Sequence, residues 1–334
     1  MLDTELITKA LGYEFCRCAY LDLIKYGFDA DFAKWVLDFL ASREVAFKKA
    51  GIKQSKELNK EYALNKILIN LKRGAGDKTF SMPLLDRLML MFESDASFNI
   101  NKSDGKCSIT IQKHSLLNEK LKCKLNKQVY PYQSKRYTKI MRHELSHCVN
   151  TDIVEIKDNE QLGEIMALLK TSDNYYFDYD CAKYLYFNEK PNYQAISGFS
   201  FLDLSEPILG YQLKEFEEGM VELEQNIVDI VFGLEGETTP AYYPNEVLAE
   251  HIGNVVGLTK LFRARAKHQF GTLCDDYKKV TGKSIEPLIK ELNKICKCRA
   301  YDIKEFRYKS EIFEEKLARQ YAELKKSNQD QAIE

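Results

Sequence analysis

The 334-residue sequence carries almost no net charge, because 49 lysines and arginines are balanced by 50 aspartates and glutamates. Proteins that hold nucleic acid or an anionic membrane surface do so largely through a positive electrostatic field. A chain with a formal net charge of -1 has no such field. We therefore expect neither nucleic acid nor a membrane among its partners.

Long hydrophobic runs are also missing. No segment approaches the run of about 18 apolar residues that crossing a bilayer requires. The opening sequence MLDTELITKALGYEF has an acidic residue at its third position and no uninterrupted apolar core, which argues against a secretory signal peptide. These absences predict a cytoplasmic protein, with export by a route that needs no signal peptide as the alternative.

Cysteines with the CxxC spacing of zinc knuckles are absent as well. Nine cysteines are an odd number, and in a large chain without an export signal they favour free thiols over a disulfide framework. The CxC pairs, Cys16 with Cys18 and Cys296 with Cys298, lie in helix-like sequence. We expect them to be thiols in the fold rather than metal ligands.

Histidine is scarce, yet two of the five histidines stand in IMRHELSHCV at residues 140–149. His143 and His147 are four residues apart, so a helix projects both rings from one face and both can reach one zinc ion. Glu144 stands where a carboxylate can take a proton from a water at that ion. A chance HExxH match in such a chain is expected on the order of 0.01 times. The motif predicts a catalytic metal helix, and the alternative is an ordinary helix with two histidines.

The residues around the histidines support the catalytic interpretation. An unpaired charge would be costly on a helix face that is buried against the wall of an active site. The residues between and after the histidines, Leu145, Ser146, Cys148 and Val149, are uncharged. We expect this part of the helix to be buried.

A catalytic zinc ion takes three protein ligands and keeps a fourth position for water. The extended motif HExxHxxGxxH is excluded, because Asn150 occupies the glycine position and Ile153 the position of the third histidine. A carboxylate is therefore the expected third ligand.

The segment EFEEGMVELE offers the first candidate for that carboxylate. Glu218 and Glu222 are four residues apart and share a helix face, so Glu218 can bind the metal while Glu222 accepts a hydrogen bond from a ligand histidine. Glu246 in PNEVLAEH and Glu217 are the rival third ligands. Gly219, next to the candidate ligand, allows another backbone to approach closely.

Together, His143, Glu144, His147, Glu218 and Glu222 resemble the zinc site of the gluzincins, the thermolysin-like branch of the zincin metallopeptidases. In that branch the third ligand is the glutamate of an ExxxD or ExxxE pattern on a second helix, and EEGMVELE is similar to the EGxTE form of many bacterial relatives. The resemblance implies one zinc ion per chain, a peptide or protein substrate, and hydrolysis by a zinc-bound water with Glu144 as general base. The connection between the two helices is longer here than in thermolysin.

A peptidase of this group also needs a hydrogen-bond donor for the oxyanion of the tetrahedral intermediate, commonly a tyrosine or a histidine. The candidates that flank the second helix are Tyr211, Tyr242, Tyr243 and His251. No pattern supports a role for the remaining histidines, His114 and His268.

Helical periodicity dominates the chain and predicts a predominantly α-helical α+β fold. The resemblance to gluzincins implies that this fold contains a zincin-like metallopeptidase core. The stretch FNINKSDGKCSITIQ, with an Asp-Gly turn between two alternating segments, predicts a β-hairpin before the HExxH helix. The segment 171–210 reads as long aromatic loops. We divide the chain into an N-terminal helical region at 1–96, the metallopeptidase domain at 97–270 and a C-terminal helical region at 271–334.

Apolar stripes in two of the predicted helices indicate which of their faces are buried or bind a partner. The first predicted helix has an apolar face and ends at Gly27, and Asp29 caps the next helix. The apolar face of the first predicted helix comprises Leu11, Phe15, Cys18, Leu21 and Ile24. The stripe of the C-terminal helix, which packs on the body or binds a protein partner, comprises Phe306, Ile312, Phe313, Leu317, Tyr321 and Leu324.

Two other classes of protein compete with the peptidase. A non-catalytic interaction or scaffold protein could retain this fold, although it would have no need of Glu144. A cysteine hydrolase would use Cys148 or Cys181 with a histidine, but Cys148 follows His147 directly, and adjacent helical side chains point about 100° apart.

Overall fold

A computed structural model describes residues 2–72, 78–80, 96–101, 106–112, 135–155, 159–169, 193–201, 209–233, 242–299 and 301–331. The fold is predominantly helical with small β-sheets, which confirms the predicted α+β class. Among the described residues, no helix combines the length and the apolar character needed to cross a bilayer. The predicted Asp-Gly turn, His114, Cys181 and most of the segment 171–210 lie outside the described residues.

The helices are α1 (Thr4–Leu11), α2 (Tyr13–Lys25), α3 (Ala30–Lys49), α4 (Lys60–Lys72), α5 (Lys135–Val149), α6 (Asn159–Ala167), α7 (Lys214–Phe232), α8 (Tyr243–Val256), α9 (Leu258–Ala266), α10 (Phe270–Thr281), α11 (Glu286–Cys298) and α12 (Ile303–Gln331). The strands are β1 (Lys78–Phe80), β2 (Ala96–Asn101), β3 (Lys106–Gln112), β4 (Thr151–Glu155), β5 (Tyr193–Ser197) and β6 (Ser200–Phe201).

The chain forms two compact units. The first comprises Met1–Ala50, Gln54–Glu155 and Tyr193–Ala195, and the second comprises Gly51–Lys53, Ile156–Asn192 and Ile196–Glu334. The boundaries of these units differ from those of the three regions predicted from the sequence, 1–96, 97–270 and 271–334. The three regions stay a prediction.

The first unit begins with helices whose ends follow the sequence signals. The Asp29 side chain accepts a hydrogen bond of 2.7 Å from the Phe32 amide, which confirms the predicted N-cap of α3. Gly27 has a φ of 89°, just after α2 ends at Lys25, as its predicted role as a stop requires.

The apolar face predicted for the first helix is wrong in part. Gly12 has a φ of 86° and divides the segment into α1 and α2, so the residues on its two sides do not share one face. On α2 the buried side chains are Ala19 and Leu23, whereas Leu21 is 55% exposed. Because the break at Gly12 determines which residues of α2 face the core, the prediction of one uninterrupted helix is wrong.

A three-stranded mixed sheet belongs to the same unit, in the order β1-β3-β2. Strands β2 and β3 are antiparallel, with Ala96 opposite Ile111 and Asn101 opposite Lys106, which confirms the pairing predicted for this segment. Strand β1 runs parallel to β3 and was not predicted. A second sheet has the order β4-β5-β6, so residues 193–201 form strands where the sequence predicted loops.

In the second unit, α7 packs closely against α8. A Cβ added to Gly219 would stand 2.1 Å from the Asn245 carbonyl oxygen, which confirms that this glycine permits close approach of another backbone. The periodicity of PNEVLAEHIGNVVGLTKLFRA predicts one helix over residues 244–264, but Gly257, with a φ of 91°, separates α8 from α9.

The C-terminal helix α12 packs against α8 and α11 of its own unit. Phe306, Phe313 and Leu317 are buried, whereas Ile312 is 42% exposed and lies off this face. The first half of the predicted stripe therefore contributes to the core of the chain itself. Binding of a protein partner through this helix stays a prediction.

Candidate metal centre

Helix α5 carries the HExxH residues and spans Lys135–Val149. Its buried side chains Met141, Leu145 and Cys148 join the hydrophobic core of the first unit. Ser146 and Val149 are buried too, which confirms the expected burial of the residues around the histidines. The core thus fixes one face of the helix and leaves His143 and His147 on another.

Polar contacts hold the middle and the C-terminal end of this helix. The Arg142 guanidinium, at the middle, donates to Asp38 of α3 at 3.1 Å and to the Ser42 hydroxyl at 2.9 Å, and all three side chains are buried. At the C-terminal end, the Asn70 amide donates to the carbonyl oxygens of Cys148 and Thr151 at 2.8 and 2.9 Å. The bond to Cys148 satisfies a carbonyl group that a helix end leaves without an intrahelical partner.

Arg142, next to His143, anchors the HExxH helix to α3, and the sequence did not indicate this role. A charged residue directly before His143 conflicts with an uncharged buried face, and the ion pair with Asp38 makes its burial tolerable. Asp38 lies 104 residues earlier in the chain. No local sequence signal relates the two positions.

The two histidines lie side by side on α5. Their ring centroids are 5.0 Å apart, the ring planes are inclined at 67°, and both side chains are half-buried. Glu144 beside them is only 5% exposed. A carboxylate at such a position is shielded from bulk water, so Glu144 is not a solvated surface acid.

The second helix of the predicted site is α7. Glu218 is half-buried and Glu222 is 4% exposed, four residues apart on one face. One ligand atom each of His143, His147 and Glu218 lies within 4.8 Å of the other two. Within the described part of the chain, no second group of histidine, cysteine or acidic side chains meets this condition.

The chemistry of these donors fits a transition-metal ion. Two imidazoles and one carboxylate form a ligand set of catalytic zinc. Donors about 2 Å from one ion are at most about 4 Å apart, so atoms that lie within 4.8 Å of one another need at most a small side-chain adjustment to surround it. The same set suits other divalent transition metals, so the choice of zinc follows from the resemblance and not from the donors alone.

Glu217, one of the rival ligands, is committed elsewhere. Its Oε1 accepts hydrogen bonds from Arg265 Nη2 at 2.6 Å and Nε at 2.9 Å, and its Oε2 accepts from the Phe199 amide at 2.9 Å. Arg265 also donates to Glu224 at 2.8 Å. This buried network fixes α7 against the β5-β6 turn and α9. Both carboxylate oxygens of Glu217 accept hydrogen bonds within it, which argues against Glu217 as a metal ligand.

Glu246, the other rival, is buried in α8 but does not belong to the group of three ligand atoms. Asn245 beside it donates to both the backbone carbonyl and the carboxylate of Glu215, at 2.8 Å each. The start of α8 is therefore tied to α7. The assignment of Glu218 as the third ligand stays a prediction that the geometry favours over Glu246.

The four candidates for oxyanion stabilisation occupy different environments. Tyr243 donates to Glu314 of α12, and its pKa is raised to about 12 by burial and by that hydrogen bond. His251 Nε2 lies 3.0 Å from the Tyr277 hydroxyl. Tyr211 is 3% exposed, with Lys290 over its ring.

Tyr242 is distinguished by the effect of the proposed ligand Glu218 on the pKa of its hydroxyl. Burial raises its pKa far above the ordinary value for a tyrosine, and the negative charge of Glu218 adds to the effect. The phenol is therefore a hydrogen-bond donor at any physiological pH. Of the four candidates, we retain Tyr242.

Among the described residues, the cysteines show no sign of catalysis or metal binding. The pKa of the Cys148 thiol is raised well above its ordinary value by burial and by Cys107, which is the opposite of an activated nucleophile. Cys296 is buried and donates to Asn245. No disulfide joins any of the described cysteines.

Comparison with known proteins gave no relative: no protein-family model matches the chain, and no curated protein or solved structure shows significant similarity to it.

Proposed function

We propose that this chain is a zinc-dependent metallopeptidase, a hydrolase in which His143, His147 and Glu218 hold one metal ion and Glu144 is the general base. The observation that carries the proposal is the approach of three ligand atoms to within 4.8 Å of one another, on helices that also present a buried carboxylate. The peptide or protein substrate follows from the resemblance to gluzincins.

Zinc held by these residues would supply a Lewis acid and a water of lowered pKa. Glu144 accepts a proton from the attacking water and passes it to the leaving amine. Glu222 accepts a hydrogen bond from a ligand histidine and so fixes the orientation of its ring. Tyr242 donates a hydrogen bond to the substrate oxygen on which negative charge develops.

Metal content is the first test. The protein is purified without chelator and its metals are measured by mass spectrometry, for the wild type and for His147→Ala, Glu218→Gln and Glu246→Gln. We expect one zinc ion per chain, lost in His147→Ala, weakened in Glu218→Gln and unchanged in Glu246→Gln. Wild-type protein that takes up no metal when zinc is offered would refute the proposal.

Catalysis is tested separately with a peptide library and the Glu144→Gln variant. Glu144 is not a ligand, so this variant should keep its zinc while cleavage falls by about 100-fold or more, the usual contribution of a general base. Zinc binding without cleavage of any peptide would favour the interaction or scaffold protein.

A further inference from the structure

Helix α12 carries apolar side chains on two faces, of which one is buried and the other is exposed to solvent. The helix packs against α8 and α11, and Phe306, Phe313 and Leu317 are buried. Tyr308 is 63% exposed and Ile312 is 42% exposed, and the two are four residues apart, so they lie one turn apart on a second face. Single exposed apolar side chains are ordinary, but two neighbours on one helix face form a patch that a partner can cover.

Charged residues flank this exposed patch in a regular order. Glu305 and Lys309 precede Ile312 by seven and three positions, and Glu315 and Arg319 follow it by three and seven. These spacings keep all four on the face of Ile312. Lys309 pairs with Glu305 at 2.7 Å and Arg319 with Glu315 at 3.8 Å, and the four side chains are between 41% and 73% exposed. The face therefore reads negative, positive, apolar, negative, positive.

This order of charges is complementary to itself when the helix is reversed. In an antiparallel pair of α12 helices with a twofold axis at Ile312, Glu305 lies opposite Arg319 of the second copy, because the two are equally far from the axis. Lys309 lies opposite Glu315 of the second copy for the same reason. A parallel pair would place each charge opposite an identical one, and like charges across an interface are unfavourable.

We propose that two copies of this chain associate through this face of α12, as an antiparallel helix pair with Ile312 at its centre and Tyr308 beside it. The occupant of the face is a second copy, because a twofold interface uses the same patch on both subunits and must be complementary to itself. The charge order of this face meets that condition in the antiparallel orientation. The inference does not depend on the proposed metal site.

The size of the face indicates how strong this association is. Residues 305–319 span about 21 Å of helix at a rise of about 1.5 Å per residue. One helix pair of this length buries well below the roughly 1,600 Å² of a standard interface, so the dissociation constant should be on the order of tens of micromolar. The ion pairs within each helix do not oppose the association, because exposed pairs of this kind contribute little to stability and rearrange readily.

Sedimentation equilibrium of the full chain measures the association, between about 1 µM and about 0.5 mM. We expect the wild type to pass from monomer to dimer over this range. Ile312→Arg places a charge opposite its own copy at the centre of the interface and should weaken the dimer by about tenfold or more. Ile230→Arg, at a more exposed isoleucine of α7, is the matched control and should dimerise like the wild type.

Charge reversal tests the antiparallel pairing itself. Glu305→Lys and Arg319→Glu should each weaken the dimer by about three- to tenfold, because twofold symmetry makes every altered contact occur twice. The double variant Glu305→Lys/Arg319→Glu again places opposite charges across the interface, so it should recover the affinity of the wild type. Circular dichroism and urea denaturation check that each variant folds.

Three results would overturn this inference. The first is a wild type that stays monomeric at about 0.5 mM, well above the expected dissociation constant. The second is equal dimerisation of the wild type and Ile312→Arg, which would place the contact on another surface. The third is a double variant that dimerises no better than either single variant, which would exclude the antiparallel pairing of Glu305 with Arg319.

Discussion

Gly219 of α7 and Asn245 of α8 are in direct backbone contact: a Cβ at Gly219 would stand 2.1 Å from the Asn245 carbonyl oxygen. The side chain of Asn245 also donates to Glu215 of α7. The residue next to the proposed ligand Glu218 is therefore the point at which the two helices are locked together.

Substitution of Gly219 should destabilise the protein. In an exposed helix, Gly→Ala adds about 1 kcal/mol of stability through helix propensity. Here the added methyl group displaces backbone, and overpacking of this kind costs about 1 to 3 kcal/mol, so Gly219→Ala should lower the free energy of unfolding. Urea denaturation measures the change. Ile230→Ala, at a 72% exposed position of the same helix, is the control and should change stability far less.

Arg265 should be among the residues on which stability depends most. It is fully buried between Glu217 and Glu224, so Arg265→Met leaves two buried carboxylates without their cation. Breaking such a network typically costs about 3 to 5 kcal/mol. Arg263→Met, two residues away on the exposed side of α9, should alter the free energy of unfolding by less than about 0.5 kcal/mol. Equal effects of the two variants in urea denaturation would contradict the assigned role of the network.

The parts of the fold and of the site that could be predicted are those with local signals. The helical spacing of His143 and His147, the cap at Asp29 and the close approach at Gly219 each depend on a few neighbouring residues. Those signals also led to Glu218, since it shares a helix face with Glu222.

The features that were missed depend on partners far along the chain. The Arg142 pair joins residues 104 positions apart, and Arg265 reaches back 48 positions to Glu217. The short strand β1 is defined by its parallel pairing with β3, which lies farther along the chain. Single-sequence periodicity records none of these pairings, because each is decided by tertiary packing.

Thiol reactivity distinguishes a metal enzyme from a cysteine hydrolase. Cys148 is fully buried with a raised pKa, whereas Cys18 is exposed. Alkylation of the native protein with iodoacetamide near pH 8, followed by peptide mass mapping, should label Cys18 and leave Cys148 unmodified. Any peptidase activity should survive this treatment and be lost with a zinc chelator. Rapid labelling of Cys148 accompanied by loss of activity would instead support the cysteine hydrolase.

His251 should make the protein less stable in mild acid. Burial lowers its pKa from 6.5 to about 4, so between these values the unfolded chain binds a proton that the folded chain does not. The favourable effect of a neutral His251 is complete above pH 6.5 and is lost as the pH falls towards 4, a total of about 3 kcal/mol. His251→Asn lowers stability at pH 7 but removes this titration, so its free energy of unfolding should fall less steeply between pH 6.5 and 4 than that of the wild type. Parallel curves for the two proteins, measured by urea denaturation across this range, would show that His251 titrates with an ordinary pKa in the folded state.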